Sequence, residues 1–149
     1  MKRIDQLKNK IITYINWHGL TNLSISGLSR EIGITQSGFH QKYGSLNEFL
    51  LEHFSNVKQN IKVNIKKNKI NLDPKLIPIM ARDSDIFGVF LCAPSILSYA
   101  EMDDTVYPKA LIEIIQDILQ MLETHITKNY NLSCVQFYHR LLFYRLTTT

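Results

Sequence analysis

The sequence predicts an all-helical fold. Apolar residues recur at intervals of three and four along most of the 149-residue chain, which is the spacing that places them on one face of a helix. Residues that can cap helix N-termini precede several of these runs, and glycines or prolines separate them. Because 45% of the residues are apolar, the chain can fill a core. We expect a three-helix head over residues 1–46 and a helical body over residues 47–149.

The first predicted helix covers residues 5–18. Its apolar residues form a stripe toward the helices that follow, and the stripe consists of Leu7, Ile11, Ile12, Ile15 and Trp17. Gly19 ends this helix, since glycine is the usual residue just past a helix C-terminus.

The next predicted helix is short and leads into a tight turn. Ile25, Leu28 and Ile32 recur at helical spacing, and Ser24 precedes them as an N-cap that can satisfy a free backbone N–H. Gly33 can take a positive φ, which is the usual way to stop a helix and turn the chain within three or four residues.

A second short helix follows this turn directly. Thr35 can cap it, and its first turn, Gln36 to Gly38, carries small or hydrogen-bonding groups. Phe39 and Tyr43, four residues apart, anchor its other face. This is the layout of a helix-turn-helix, in which the second helix enters the DNA major groove by its N-terminal residues. The alternative is a pair of packed helices without any role in nucleic-acid binding.

Many positions of this region resemble the N-terminal domain of TetR-family transcriptional regulators. They span roughly the first third of the chain and are Gly19, Leu20, Ser24, Ile25, Leu28, Gly33, Ile34, Thr35, Ser37, Gly38, Phe39, Tyr43, Ser45 and Phe49. His40 departs from the family's motif by replacing a tyrosine that usually contacts phosphate, although histidine can still donate to phosphate. Leu46 departs from it by replacing a lysine. The phosphate contact expected there is lost, and Lys42 or backbone amides must compensate for it.

The resemblance implies a DNA-binding surface on the helix pair. Glutamine can bond adenine bidentately and serine is permissive, so the residues expected to read bases are Gln36, Ser37 and Gln41. The residues expected to hold phosphates and fix the register are Ser24, Thr35, His40 and Lys42, and Tyr43 completes the predicted DNA-binding set. The expected partner is double-stranded DNA.

The charge distribution favours the same function. Residues 1–69 hold 11 of the 17 Lys and Arg but only 4 of the 13 Asp and Glu, a net charge of +7, whereas residues 70–149 carry −3. A basic head attracts duplex phosphates, because Lys and Arg release the counterions condensed on DNA. Charge alone would be weak support, since basic faces are often simply solvated.

A long helix is predicted from Ser45, which forms a capping box with Glu48 three residues later. Its apolar stripe continues through Phe49, Leu50, Phe54, Val57, Ile61 and Ile65. In the TetR family the corresponding helix connects the head to the body and transmits ligand binding. The helical pattern breaks over residues 71–78, where Asp73, Pro74 and Pro78 predict a boundary.

An almost continuously apolar run follows from Ile86 to Leu97, and we expect it to be buried. By resemblance to the family, helices of this region line a pocket for a small hydrophobic effector. The side chains expected to line it are Phe87, Phe90, Cys92 and Tyr99. The alternative is that the run is plain core.

Two C-terminal helices are predicted, over residues 108–130 and from residue 134 to about residue 146. Their apolar positions cover more than one face, which is too wide for a single core contact. TetR-like proteins dimerise through such a pair, packed as a four-helix bundle, so we expect a homodimer. The predicted interface residues are Ile115, Leu119, Leu122, Tyr138, Leu141 and Leu142. Burial of both faces within one monomer is the alternative.

Other functions find little support in the sequence. No nucleophile elbow, phosphate-binding glycine loop or metal-binding histidine pair occurs, so we expect no enzyme activity, no metal and no cofactor. A metal site at His125, Cys134 and His139 is a minor alternative. No signal peptide or membrane span is expected, and the unpaired spacing of Cys92 and Cys134 fits the cytoplasm. The chain is shorter than most TetR-family members, which implies a reduced or truncated body.

We therefore expect a homodimeric repressor that binds a palindromic operator and is released by an effector. The alternative is a TetR-like adaptor that binds proteins and has weak or no specific DNA binding. The departure at Leu46 and the short body motivate that alternative.

Overall fold

We describe a computed structural model at residues 6–20, 23–67, 85–98, 107–130, 133 and 135–140. These residues contain helices and no strand, so the predicted all-helical fold is confirmed there. The helices are α1 (Gln6–His18), α2 (Ile25–Ile32), α3 (Gln36–Tyr43), α4 (Leu46–Lys66), α5 (Asp85–Ser98) and α6 (Lys109–Tyr130), and residues 135–140 are also helical. Among the predicted features, the break over residues 71–78, Tyr99, Cys134, Leu141 and Leu142 lie outside the described residues.

The predicted stripe of α1 is correct except at one residue. Ile11 and Ile15 are fully buried, and Leu7 and Ile12 pack against the same core. Trp17 is 37% exposed, so its placement in the buried stripe is wrong. The reason is helical geometry, because two residues turn the chain by about 200° and place Trp17 opposite Ile15.

The caps predicted for the next three helices are present. Ser24, Thr35 and Ser45 each accept a backbone N–H from the residue three positions later. The Glu48 carboxylate also accepts a hydrogen bond from the backbone N–H of Ser45, which completes the predicted capping box. These local hydrogen bonds fix where α2, α3 and α4 begin.

Helix α4 is the central element of the packing. It packs along α6 in the body and also contacts α3 in the head. Helix α1 lies against α5. The exposed ion pair between Lys58 Nζ and Asp117 Oδ2, at 2.8 Å, joins α4 to α6. Buried residues of the head and the body form one continuous apolar cluster, so the two parts share a core.

The apolar run of α5 is buried, as predicted. Phe87, Phe90 and Cys92 are each at most 3% exposed. Pro94 lies inside the helix on its exposed side. Burial raises the pKa of the Cys92 thiol to about 12, so this cysteine stays protonated and behaves as a small apolar side chain.

The wide stripe of α6 divides into a buried part and a half-buried part. Its fully buried residues are Leu111, Ile115, Ile118, Leu122 and Ile126. Ile115 and Leu122, two residues of the predicted dimer interface, are fully buried within their own chain and expose no surface to a second copy. Leu119, one turn away from Ile115, is only half-buried and keeps surface that a partner can contact.

Candidate nucleic-acid interface

The turn between α2 and α3 depends on Gly33. Its φ of +87° lies in the left-handed region, and its backbone N–H donates to the carbonyl oxygen of Ser29 at 2.8 Å. A Cβ at this position would meet no atom within 4 Å, so backbone conformation rather than space favours glycine. The turn directs α3 away from α2 immediately after the helix ends.

An aromatic cluster anchors the inner face of α3. Phe39 is fully buried, and its ring centroid lies 5.3 Å from that of Tyr43 and 5.7 Å from that of Phe49. Tyr43 and Phe49 meet edge to face at 5.1 Å. The ring of Tyr43 is thus held between α3 and α4, which gives this residue of the predicted DNA-binding set a structural contact as well.

The outer face of α3 is polar and exposed. It presents Gln36, Ser37, His40, Gln41 and Lys42. The Lys42 ammonium lies 5.6 Å from the centroid of the Tyr43 ring, within the range of a cation–π contact. A helix with one aromatic anchoring face and one exposed face of hydrogen-bonding and basic groups has the form that a groove-binding helix requires.

The two capping hydroxyls have chemistry suited to phosphate. Ser24 Oγ accepts from the backbone N–H of Gly27, and Thr35 Oγ1 accepts from that of Gly38, both at 3.0 Å. A hydroxyl that accepts in this way still has its own hydrogen to donate. Thr35 Oγ1 also lies 3.5 Å from Ser37 Oγ, and either of these two hydroxyls can donate to the other. Each group also lies at a helix N-terminus, where the helix dipole favours an anion.

Leu46, where the TetR family has lysine, is the first residue of α4. It is half-buried and packs against the apolar core. Its side chain therefore contributes to the apolar core and offers no positive charge. Among the described residues of this surface, Lys42 supplies the cationic side chain on α3.

A hydrogen bond that the sequence analysis missed links α2 to α3. Gln36 Nε2 donates to Ser26 Oγ at 2.9 Å, between residues that are both exposed. The residues are ten positions apart, and neither helical periodicity nor capping patterns indicate this pairing. Only the angle between the two helices brings the amide and the hydroxyl together.

A polar junction between the head and the body was also missed. Asn16 on α1 and His53 on α4 are buried, and Asn16 Nδ2 donates to Asp85 Oδ1 on α5 at 3.2 Å. Burial lowers the pKa of His53, Asp85 opposes that effect, and Lys8 adds to it. The sequence contained one indication of this junction, because in each of the two helices a polar residue lies next to a residue of the apolar stripe. Asn16 follows Ile15, and His53 precedes Phe54.

The body contains a small apolar cavity at the predicted effector region. Its volume is about 180 Å³, and the residues lining it are Phe90, Ala93, Pro94, Leu97, Leu119, Val135 and Tyr138. Phe90 is therefore the predicted effector residue that lines it, whereas Phe87 and Cys92 are buried elsewhere in the core. The cavity is smaller than typical small-molecule sites of about 300–1,000 Å³.

Comparisons with protein-family models, curated proteins and solved structures find no match. Within the described ranges, no helix has the length and hydropathy needed to cross a membrane. The same residues contain no group of three or more His, Cys, Asp or Glu side chains placed to hold a metal ion.

Proposed function

We propose that this protein is a TetR-like transcriptional regulator that binds double-stranded DNA through α2 and α3. The observation that carries the proposal is the division of α3 into a face anchored by Phe39 and a face exposing Gln36, Ser37 and Gln41. Such a helix can insert into a major groove without uncovering its apolar side. Base reading then falls to the exposed amides and hydroxyl, as their donor and acceptor groups match base edges.

Phosphate contacts would set the register of the head. Ser24 and Thr35 offer hydroxyl hydrogens at the N-termini of α2 and α3, and His40 and Lys42 extend the surface along α3. These contacts hold the backbone and carry no base sequence information. The excess of positive charge over residues 1–69 supports the proposal, because it favours association with a polyanion.

The proposal includes a homodimer in the cytoplasm that acts as a repressor. Two heads would read half-sites about 34–36 Å apart, one turn of DNA. Leu119 and Tyr138 are the described members of the predicted interface that retain exposed surface. The same two residues line the cavity beside Phe90, whose volume of about 180 Å³ would admit only an apolar effector smaller than typical small-molecule ligands.

The test is selection of bound duplexes from a random DNA pool, repeated over a series of salt concentrations. We expect a palindromic consensus and an affinity that falls steeply with salt, by a slope of about 0.9 for each phosphate neutralised. A Gln36→Ala/Gln41→Ala variant should lose the consensus while keeping most of its nonspecific binding. Gln59→Ala, an exposed glutamine on α4, is the matched control and should retain both.

A protein-binding adaptor is the second candidate, and the apolar Leu46 favours it because a phosphate contact of the family is missing there. This candidate predicts a folded protein that enriches no DNA sequence and whose weak DNA binding has no steep salt slope. That result, obtained with a protein that remains dimeric, would refute the regulator proposal.

A further inference from the structure

The side chain of Gln36 is tethered before any DNA is present. Its Nε2 donates to Ser26 Oγ at 2.9 Å, across the turn from α3 to α2. Ser26 is not the N-cap of α2, because Ser24, two residues earlier, caps that helix. The Ser26 hydroxyl can therefore accept the hydrogen bond from Gln36. The hydroxyl of Ser26 therefore favours one orientation of the amide of Gln36, the first residue of the proposed recognition helix.

The tether determines which hydrogen-bonding groups remain on the amide. A primary amide carries two N–H donors and one carbonyl acceptor. With one N–H directed to Ser26, Gln36 keeps one N–H donor and its Oε1 acceptor. In the major groove adenine offers an N7 acceptor beside an N6 donor, whereas guanine offers two acceptors and would require both N–H groups.

Gln41 provides an internal comparison on the same helix. It is exposed, and within the part of the chain that the structure describes its side chain has no hydrogen-bond partner. Its amide can therefore rotate and present either end to a base. The two glutamine side chains are chemically identical, but that of Gln36 is hydrogen-bonded to Ser26 whereas that of Gln41 can rotate.

We infer that Ser26 is a positioning residue that fixes the amide of Gln36 and thereby makes the recognition helix select adenine at one base position of each half-site. The inference rests on the proposed function, because it assigns a specificity to the same surface. A preorganised side chain discriminates better, since it loses less conformational freedom on binding.

The test compares the wild-type chain with Ser26→Ala and Ser26→Thr in the random-pool selection. The base position read by Gln36 is first assigned as the one that Gln36→Ala makes degenerate. We expect Ser26→Ala to reduce adenine preference there by about two- to tenfold, the range expected for one hydrogen bond. Ser26→Thr keeps the hydroxyl and should restore the preference, while the position read by Gln41 should not change in either variant.

A structural role for Ser26 would give a different result. The residue is exposed on α2, so Ser26→Ala should leave thermal unfolding and nonspecific DNA affinity unchanged. A uniform loss of affinity at every base position would overturn the inference, as would an unchanged profile. A preference for guanine or thymine at the Gln36 position would also overturn it.

If the wild-type chain enriches no sequence, the proposed function fails as well, whereas a clear consensus insensitive to Ser26→Ala refutes only the inference.

Discussion

The contact between α1 and α5 predicts that Gly88→Ala destabilises the protein. A Cβ on Gly88 would lie 2.6 Å from Asn16 Cγ and 3.4 Å from Asn16 Cα, so the buried amide of Asn16 must move. Overpacking of this kind costs about 1–3 kcal/mol. Moving the amide also weakens its 3.2 Å hydrogen bond to Asp85, which contributes about 1 kcal/mol. Alanine offsets about 1 kcal/mol through its higher helix propensity. The expected net loss is about 1–3 kcal/mol.

A double-mutant cycle isolates the cause of that loss. Asn16→Ala removes the amide that obstructs the new methyl group, so adding Gly88→Ala in this background should be neutral or stabilising by up to about 1 kcal/mol. The effect of Gly88→Ala should therefore differ between the two backgrounds by about 1–4 kcal/mol, since the two residues are in direct contact and their effects are coupled.

Urea unfolding followed by circular dichroism measures the four free energies of the cycle. The dependence on urea should be similar in all four proteins, so that the midpoints report stability alone. If Gly88→Ala has the same effect with and without Asn16, the steric argument is refuted. A stabilising Gly88→Ala in the wild-type background would show that α1 and α5 do not approach closely at this point.

Two further predictions concern His53 and Gly33. The pKa of His53 is lowered by burial, so the unfolded chain binds the proton better and stability should fall as the pH drops below about 6.5. His53→Leu should flatten that part of the stability profile measured by denaturant unfolding, and identical profiles would contradict the assignment. Gly33→Ala should cost about 1–2 kcal/mol because its φ is +87°, whereas Gly33→Asn should cost less since asparagine tolerates the left-handed region. Thermal unfolding distinguishes these variants, and equal losses would argue against backbone strain as the cause.

Local sequence signals predicted the beginnings and ends of the helices around the turn. Ser24, Thr35 and Ser45 each act on a backbone group three residues away, so the relevant partner is visible in the sequence. Gly33 likewise needs only its own conformation to end α2. Such features depend on neighbouring residues, and they can be inferred before the chain is folded.

Features that depend on the packing of distant helices could not be inferred in this way. The apolar width of α6 indicated two contacts, but it did not show that Ile115 faces inward and Leu119 faces the cavity. The bond from Asn16 to Asp85 joins residues 69 positions apart. The orientation of a helix decides which part of a wide apolar stripe faces the core and which part faces a partner. The periodicity of apolar residues does not specify that orientation.

Under the proposed function, the same packing would couple the body to the DNA-binding head. Phe90 lines the cavity of the body. Gly88 lies about 3 Å from Phe90 along the axis of α5 and is packed closely against Asn16 on α1 of the head. A rigid helix cannot move at one of these residues and stay in place at the other. An effector that favours a shifted α5 would therefore disturb the contact between Gly88 and Asn16, and with it the position of α1 relative to α2 and α3. Such coupling can be only as strong as the effector's preference for the shifted state, so variants that loosen the α1–α5 contact should weaken regulation before they weaken DNA binding.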